Sequence, residues 1–140
     1  MNKKIVVIGS CNTDMVVSTK RLPLPGETLI GGEFFMNSGG KGANQAVAAA
    51  RLGGDVCLIA KVGNDPLGSR SVDQYRAEGI NVDYIGVDHD NPSGVALIMV
   101  DEHGENSISV ASGANMALCV TDVDRAEKVV AEGEIVVMQL

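Results

Sequence analysis

Apolar residues in this chain cluster in short, uninterrupted runs that lack the polar alternation of half-exposed strands. Such runs are typical of strands covered on both faces of a parallel sheet. Three of them are predicted as buried strands of this kind: residues 5–8, 56–60 and 135–140. A further strand, residues 94–100, is apolar on both faces. The spacing between these strands leaves room for helices, which indicates an α/β fold.

A helical period follows the first strands. Ala43, Ala46, Val47 and Ala50 recur at the spacing of one helix face, and Gly53 is suited to end that helix. Alanine is the strongest helix former, so a thin, closely packed helix is expected over residues 43–52.

Two further helices are predicted from their caps. Asp65 as N-cap with Pro66 in the first turn begins a helix that runs to about residue 78. A capping box at Thr121 begins another, which ends near Gly133. An extended segment is expected between them at residues 81–87.

Shorter β-forming segments lie outside the buried strands. Residues 15–36 are predicted to form a hairpin with a bend at Gly31 and Gly32, and residues 94–111 a second hairpin. These two hairpins could pair into a small separate sheet.

A glycine-rich segment, residues 37–42, leads into the first helix. A helix N-terminus carries unpaired N–H groups, and glycines let a ligand approach the backbone. The segment lacks the spacing of the P-loop and of the dinucleotide fingerprint. A plain glycine-rich turn before a packed helix therefore remains an alternative to a ligand site. Asn12 and Asp14 follow the first strand, where ligands bind in open α/β sheets, although a plain turn is also possible there.

Composition limits the function classes. The 140 residues are the length of one domain, and a net charge of −7 argues against nucleic acid or an anionic membrane as partner. Three widely spaced cysteines indicate buried, reduced thiols and a cytoplasmic protein. No cluster of residues has metal-ligand spacing, and no apolar run is long enough to span a membrane.

Several segments together resemble the ribokinase-like (pfkB) carbohydrate kinases. They are residues 12–14, 25–27, 39–46, 62–68, 94–98 and 104–106. The resemblance covers essentially all of residues 1–140 and implies the N-terminal part of a doubly wound, Rossmann-like α/β domain. It implies that the hairpins 15–36 and 94–111 form a β-sheet lid, which in this family often pairs with a partner's lid in a homodimer.

The resemblance also implies an activity. It is the transfer of the ATP γ-phosphoryl group to the 5-hydroxyl of a pentose such as D-ribose, with Mg²⁺ on the phosphates and a monovalent cation such as K⁺ nearby. The sugar contacts implied for this sequence are polar groups, backbone donors and an apolar cover. They are Asn12, Asp14, Gly40, Lys41, Gly42, Asn44, Ala96, Ile98 and Val110.

One part of the family pattern is missing. The Gly-Ala-Gly-Asp motif that supplies the catalytic base and the anion hole does not occur, so no catalytic residue is assigned. We therefore expect the sugar-binding and lid half of a kinase, truncated before its nucleotide site and inactive by itself. The alternatives are a non-catalytic or engineered half-domain that self-associates through its lid or open sheet edge, and a family member acting on deoxyribose or another sugar.

Overall fold

The computed structural model describes residues 3–139. Their strands form two four-stranded sheets. The elements, in chain order, are β1 (Lys4–Ile8), β2 (Asn12–Ser18), β3 (Glu33–Gly39), α1 (Lys41–Arg51), β4 (Asp55–Gly63), α2 (Pro66–Ala77), β5 (Ile85–Asp88), β6 (Gly94–Val100), β7 (Asn106–Ala111), a 3₁₀ helix (Gly113–Ala117), α3 (Val120–Asp124), α4 (Glu127–Glu132) and β8 (Ile135–Met138). No helix within residues 3–139 has the length and apolar character needed to cross a membrane.

The main sheet is entirely parallel, with the order β5-β4-β1-β8. Its central strands are apolar on both faces, as the uninterrupted runs predict. Val7 and Leu58 pack with Ala46 of α1 and Tyr75 of α2 on one face. Val6 packs on the other face in a cluster that includes residues of α4. The α/β class with helices on both faces is confirmed.

The small sheet has the order β3-β2-β6-β7, in which β2 and β6 are parallel and the two outer pairs are antiparallel. The prediction that the two hairpin segments pair into one separate sheet is confirmed. The bounds differ, because β2 begins at Asn12 and β3 covers residues 33–39. Gly31 and Gly32 both have positive φ, at 103° and 112°, and interrupt the extended chain before β3. Residues 37–39, expected in a loop, pair with β2 instead.

The first two predicted helices are confirmed. In α2 the Asp65 carboxylate accepts a hydrogen bond from the N–H of Gly68 at 2.8 Å, as an N-cap does. The predicted cap at Thr121 is wrong. The cap is Cys119, whose N–H donates to the Asp122 carboxylate at 2.9 Å, and two short helices, α3 and α4, replace the single helix. Lys61 holds that carboxylate from β4, which favours the earlier start.

Two burial predictions are wrong. Strand β8 is parallel to β1 as expected, but Ile135, Val136 and Met138 are exposed rather than buried. It is an edge strand, and no element among residues 3–139 covers it from outside. Cys119 is also exposed, whereas Cys11 and Cys57 are buried as predicted. The predicted segment 81–87 forms only a bridge at Asn81 and the short strand β5.

Candidate functional site

A cleft of about 540 Å³ opens where β1 ends, α1 begins and the small sheet crosses above them. Eight of the nine residues predicted to contact a sugar line it: Asn12, Asp14, Gly40, Lys41, Asn44, Ala96, Ile98 and Val110. They come from β2, the start of α1 and the strands β6 and β7, so segments far apart in sequence converge on one cleft.

Asp14 supplies the carboxylate of the cleft. It lies on the same face of β2 as Asn12, since side chains two residues apart point the same way. Burial raises the pKa of the Asp14 carboxyl above its ordinary value. No side chain or N–H within residues 3–139 forms a hydrogen bond or ion pair with this carboxylate, which leaves its oxygens available as acceptors for a ligand.

The side chain of Asn12 is held from one side only. Its Oδ1 accepts a hydrogen bond from Nδ2 of Asn115 at 2.8 Å. Asn115 belongs to the 3₁₀ helix that follows β7, and it also bonds to both backbone groups of Cys11. The side-chain nitrogen of Asn12, Nδ2, has no hydrogen-bond partner among the described residues, so this donor remains available in the cleft.

The start of α1 forms the floor of the cleft. Gly40 is the N-cap, with a φ of 92°, and a Cβ there would lie 2.7 Å from Cα of Cys11. Only glycine fits that position, both by conformation and by space. Lys41 and Asn44, in the first turn, line the cleft.

Gly42 is the predicted contact that does not line the cleft. It is buried, and a Cβ there would lie 2.8 Å from the backbone of Gly9. The N–H of the next residue, Ala43, donates to the carbonyl of Ser10 at 3.0 Å. The structure therefore gives Gly42 a packing role, because it lets α1 approach the loop after β1.

The small sheet supplies the apolar side of the cleft. Ala96 and Ile98 alternate along β6 toward the cleft, and Ala96 is paired in register with Val110 of β7. Ile108, which pairs with Ile98, lines the cleft as well and was not predicted. These side chains offer apolar surface opposite the polar groups of β2 and α1.

Eight further residues line the cleft but were not in the predicted set: Gly9, Ser10, Ile108, Ser112, Asn115, Met116, Leu118 and Gln139. Ser10 donates from Oγ to Oε1 of Gln139 at 2.6 Å, which connects the ends of β1 and β8. The position of Ser10 directly after a parallel strand could have identified it. Asn115 had only the weak signal of a small-residue loop, because its contacts are with residues about 100 positions earlier.

The donor set of the cleft does not fit a divalent cation. It contains one carboxylate, amides and a lysine, and no group of three His, Cys, Asp or Glu suited to a metal occurs in residues 3–139. A carboxylate acceptor, amide and ammonium donors and an apolar wall together suit a small, neutral molecule with several hydroxyl groups.

Comparison with known proteins agrees with this chemistry. The model of the pfkB family of carbohydrate kinases matches residues 2–139. Ribokinase from Mus musculus is 41% identical over 136 residues, 97% of this chain and 42% of the relative. Deoxyribokinase from Salmonella typhimurium is 40% identical over 136 residues, 97% of this chain and 44% of the relative.

A solved structure shares the fold. The structure of Arabidopsis thaliana ribokinase complexed with ribose and ATP matches with a TM-score of 0.81 at 33% identity, over 99% of this chain and 46% of that chain. This chain thus spans less than half the length of these relatives, and its two sheets correspond to the N-terminal part of the ribokinase fold. The chain belongs to the pfkB family of carbohydrate kinases.

Proposed function

We propose that this chain is the sugar-binding part of a ribokinase, which phosphorylates D-ribose at its 5-hydroxyl with ATP. The observation that carries the proposal is the convergence of a carboxylate acceptor, amide and ammonium donors and an apolar wall on one cleft. The similarity to ribokinases over nearly the whole chain supports the same function.

Each group in the cleft has a role in this proposal. Asp14 accepts hydrogen bonds from two sugar hydroxyls, and Asn12, Asn44 and Lys41 donate to others. Ala96, Ile98 and Val110 cover the apolar edge of the sugar. The small sheet acts as the lid over the cleft, which excludes water from the bound sugar.

The other cofactors belong to the whole protein in this proposal. ATP, Mg²⁺ and K⁺ are assigned to the whole enzyme and not to the cleft, because the family motif for the catalytic base and anion hole does not occur in the sequence. We therefore expect the 140-residue chain to bind ribose in the cytoplasm without transferring a phosphoryl group, because that transfer requires positioned phosphates and a base.

Two assays test the proposal. Ribose, 2-deoxyribose and arabinose are each titrated into the ¹⁵N-labelled chain while backbone amide shifts are followed. The proposal predicts that ribose moves the signals of Lys41, Asn44 and Ala96 and leaves those of the exposed hairpin tip at Gly104 unchanged. Tighter binding of 2-deoxyribose would instead favour a deoxyribokinase. ADP release by the chain with ribose, ATP, Mg²⁺ and K⁺ would refute the expected inactivity.

Self-association through the small sheet is the second part of the proposal. Phe34, Leu97 and Met99 form an exposed apolar strip, and Leu97 and Met99 alternate with the cleft residues of β6. Edge pairing through β8, where Val136 is exposed, is the alternative.

Sedimentation velocity separates the two modes. Leu97→Lys should convert a lid-mediated dimer to monomer, and Val136→Lys should leave it intact. The opposite pattern would assign the contact to β8, and a wild-type monomer at high concentration would rule out both.

A further inference from the structure

Asn115 bonds to the two backbone groups of one residue and to one side chain of the cleft. Its Oδ1 accepts from the N–H of Cys11 at 2.9 Å, and its Nδ2 lies 3.0 Å from the carbonyl oxygen of Cys11. The same Nδ2 lies 2.9 Å from the carbonyl of Ser112 and 2.8 Å from Oδ1 of Asn12. Two amide hydrogens are thus shared among three acceptors.

The orientation of the Asn115 amide is fixed by this arrangement. A backbone N–H can only donate and a backbone carbonyl can only accept, so the oxygen of Asn115 must face the N–H of Cys11 and its nitrogen the carbonyl. Rotation of the Asn115 amide by 180° would place its NH₂ group against the N–H of Cys11, which is donor against donor. It would also place its oxygen against the carbonyl of Cys11, which is acceptor against acceptor.

The orientation of Asn12 follows from that of Asn115. Since Nδ2 of Asn115 is a donor, the atom of Asn12 that faces it must be the oxygen. The NH₂ group of Asn12 is then the end left for the cleft. An amide is otherwise ambiguous, because its two ends have nearly the same shape.

We propose that Asn115 is a positioning residue, which sets the polarity of Asn12 so that the cleft presents a donor beside the acceptor Asp14. This inference rests on the proposed sugar-binding function. A hydroxyl has one hydrogen, so a hydroxyl placed between the two side chains accepts from Asn12 while it donates to Asp14. Two acceptors at these positions could not both be satisfied by one hydroxyl.

Gly94 provides the space for the pair. A Cβ at this residue would lie 2.2 Å from Nδ2 of Asn115 and 2.2 Å from Oδ1 of Asn12. Any side chain at the start of β6 would therefore force the two amides apart. The absence of a side chain at Gly94 thus allows the contact between Asn115 and Asn12 that sets the polarity of the cleft.

Side-chain amide exchange in the sugar-free chain tests the polarity directly. The NH₂ signals of Asn12 and Asn115 are assigned by their loss in Asn12→Asp and Asn115→Asp. The proposal predicts slow exchange with water for the NH₂ of Asn115 and fast exchange for that of Asn12. In Asn115→Asp the Asn12 amide should turn and donate to the new carboxylate, and one of its hydrogens should become protected. Slow exchange of Asn12 in the wild type, or no change in the variant, would overturn the proposal.

Binding measurements supply the second readout. Asn12→Asp keeps an oxygen for Asn115 but replaces the donor in the cleft with an acceptor, and ribose affinity should fall about tenfold or more. Asn81→Asp is the matched control, because the Asn81 side chain is exposed and its Oδ1 accepts only from the N–H of Asp83 in the same turn. Unchanged affinity in Asn12→Asp would contradict the proposal even if Asn115→Asp did not fold. Absence of ribose binding by the wild-type chain would refute the proposed function, whereas the exchange experiment would still decide the polarity of Asn12.

Discussion

The carboxylate of Asp14 occupies the space that a side chain at residue 39 would need. A Cβ placed on Gly39 would lie 2.2 Å from Oδ2 of Asp14 and 2.3 Å from Oδ1. Gly39 is the last residue of β3 and pairs with Asn12 of β2. Gly39, within the glycine-rich segment, thus makes room for the only carboxylate that lines the cleft in the described part of the chain.

Gly39→Ala should therefore displace Asp14 and weaken ribose binding by about tenfold or more. The φ of Gly39 is not positive, so the effect arises from the clash and not from backbone strain. We expect the unfolding free energy to fall by about 1–3 kcal/mol, as for other overpacked sites. Calorimetric titration with ribose and urea unfolding measure the two effects.

The matched control is Gly86→Ala in β5. A Cβ there would lie 3.2 Å from Cε of Lys61, and neither Gly86 nor Lys61 lines the cleft. Ribose affinity should be unchanged in this variant. Equal losses of ribose affinity in Gly39→Ala and Gly86→Ala would show that Gly39 affects general stability and not the position of Asp14.

The raised pKa of Asp14 predicts how binding depends on pH. Burial raises this pKa, so the carboxylate becomes protonated at a higher pH than an ordinary aspartate, whose pKa is about 3.9. Ribose affinity should decline as the pH is lowered toward that range, because a protonated carboxyl loses acceptor capacity. Asp14→Asn should bind weakly at every pH, without this decline.

The same shift has a consequence for stability. A carboxyl with a raised pKa in the folded state takes up a proton more readily there than in the unfolded state, so it favours folding as the pH falls and opposes folding above its unfolded pKa. Asp14→Asn should therefore be more stable than the wild type at pH 7 while it binds ribose less well. A destabilised variant would show that Asp14 has a structural role instead.

The ion pair between Lys61 and Asp122 should be important for stability. Its atoms are 2.8 Å apart, and the side chains are only 15% and 7% exposed. Lys61→Met leaves the Asp122 carboxylate without its cation, and we expect a loss of about 3 kcal/mol in unfolding free energy. Lys128→Met removes a pair in which the lysine is 86% exposed, and should cost less than about 1 kcal/mol.

This ion pair also predicts acid sensitivity. Burial acts to raise the pKa of Asp122, but hydrogen bonds from Lys61 and from the N–H of Cys119 hold that pKa below its usual value. The contribution of the Asp122 carboxylate to the free energy of unfolding is therefore present above the pKa of Asp122 in the unfolded chain. It is lost as the pH falls through the lowered pKa in the folded chain. Urea unfolding of wild type and Lys61→Met between pH 7 and pH 3 should show the difference in stability shrinking toward the acid end. A constant difference would contradict this account.

Tyr75→Phe should not destabilise the chain. The tyrosine is 1% exposed, and its hydroxyl makes no hydrogen bond of normal geometry with the described residues. Burial raises its pKa, although the side chains of Ser71 and Ser38 act to lower that pKa. Removal of an unpaired buried hydroxyl relieves a desolvation cost, so we expect a change between about zero and a 1 kcal/mol gain. Tyr75→Ala, which leaves a cavity, should cost about 3–5 kcal/mol. A loss above about 1 kcal/mol for Tyr75→Phe would indicate a partner for the hydroxyl.

The strands of the main sheet and the first two helices could be predicted because their signals are local. Uninterrupted β-branched runs, the alanine period of α1 and the Asp65 cap each specify an element within a few residues. The start of α3 could not be predicted in this way. Its cap at Cys119 depends on Asp122, which Lys61 holds from a distant strand.

The residues of the candidate site also divide into those with a local sequence signal and those without one. Residues in recognisable segments, such as Asp14 and Asn44, could be named from the sequence, and the structure brings them to one cleft. Asn115 could not, because its role depends on hydrogen bonds to Cys11 and Asn12, which only the folded chain places beside it. Gly42 is the opposite case. It was predicted to contact the sugar because it lies in the glycine-rich segment, but in the structure it packs against Gly9.

The most direct test of the account is calorimetric titration of the chain with D-ribose at pH 7, for the wild type, Asp14→Asn and the control Asp73→Asn. Asp73 is an exposed aspartate on α2 that does not line the cleft. The account predicts saturable binding by the wild type and Asp73→Asn, and a loss of about tenfold or more for Asp14→Asn. Equal affinity of all three proteins, or no binding by the wild type, would contradict the assignment of this cleft as the sugar site.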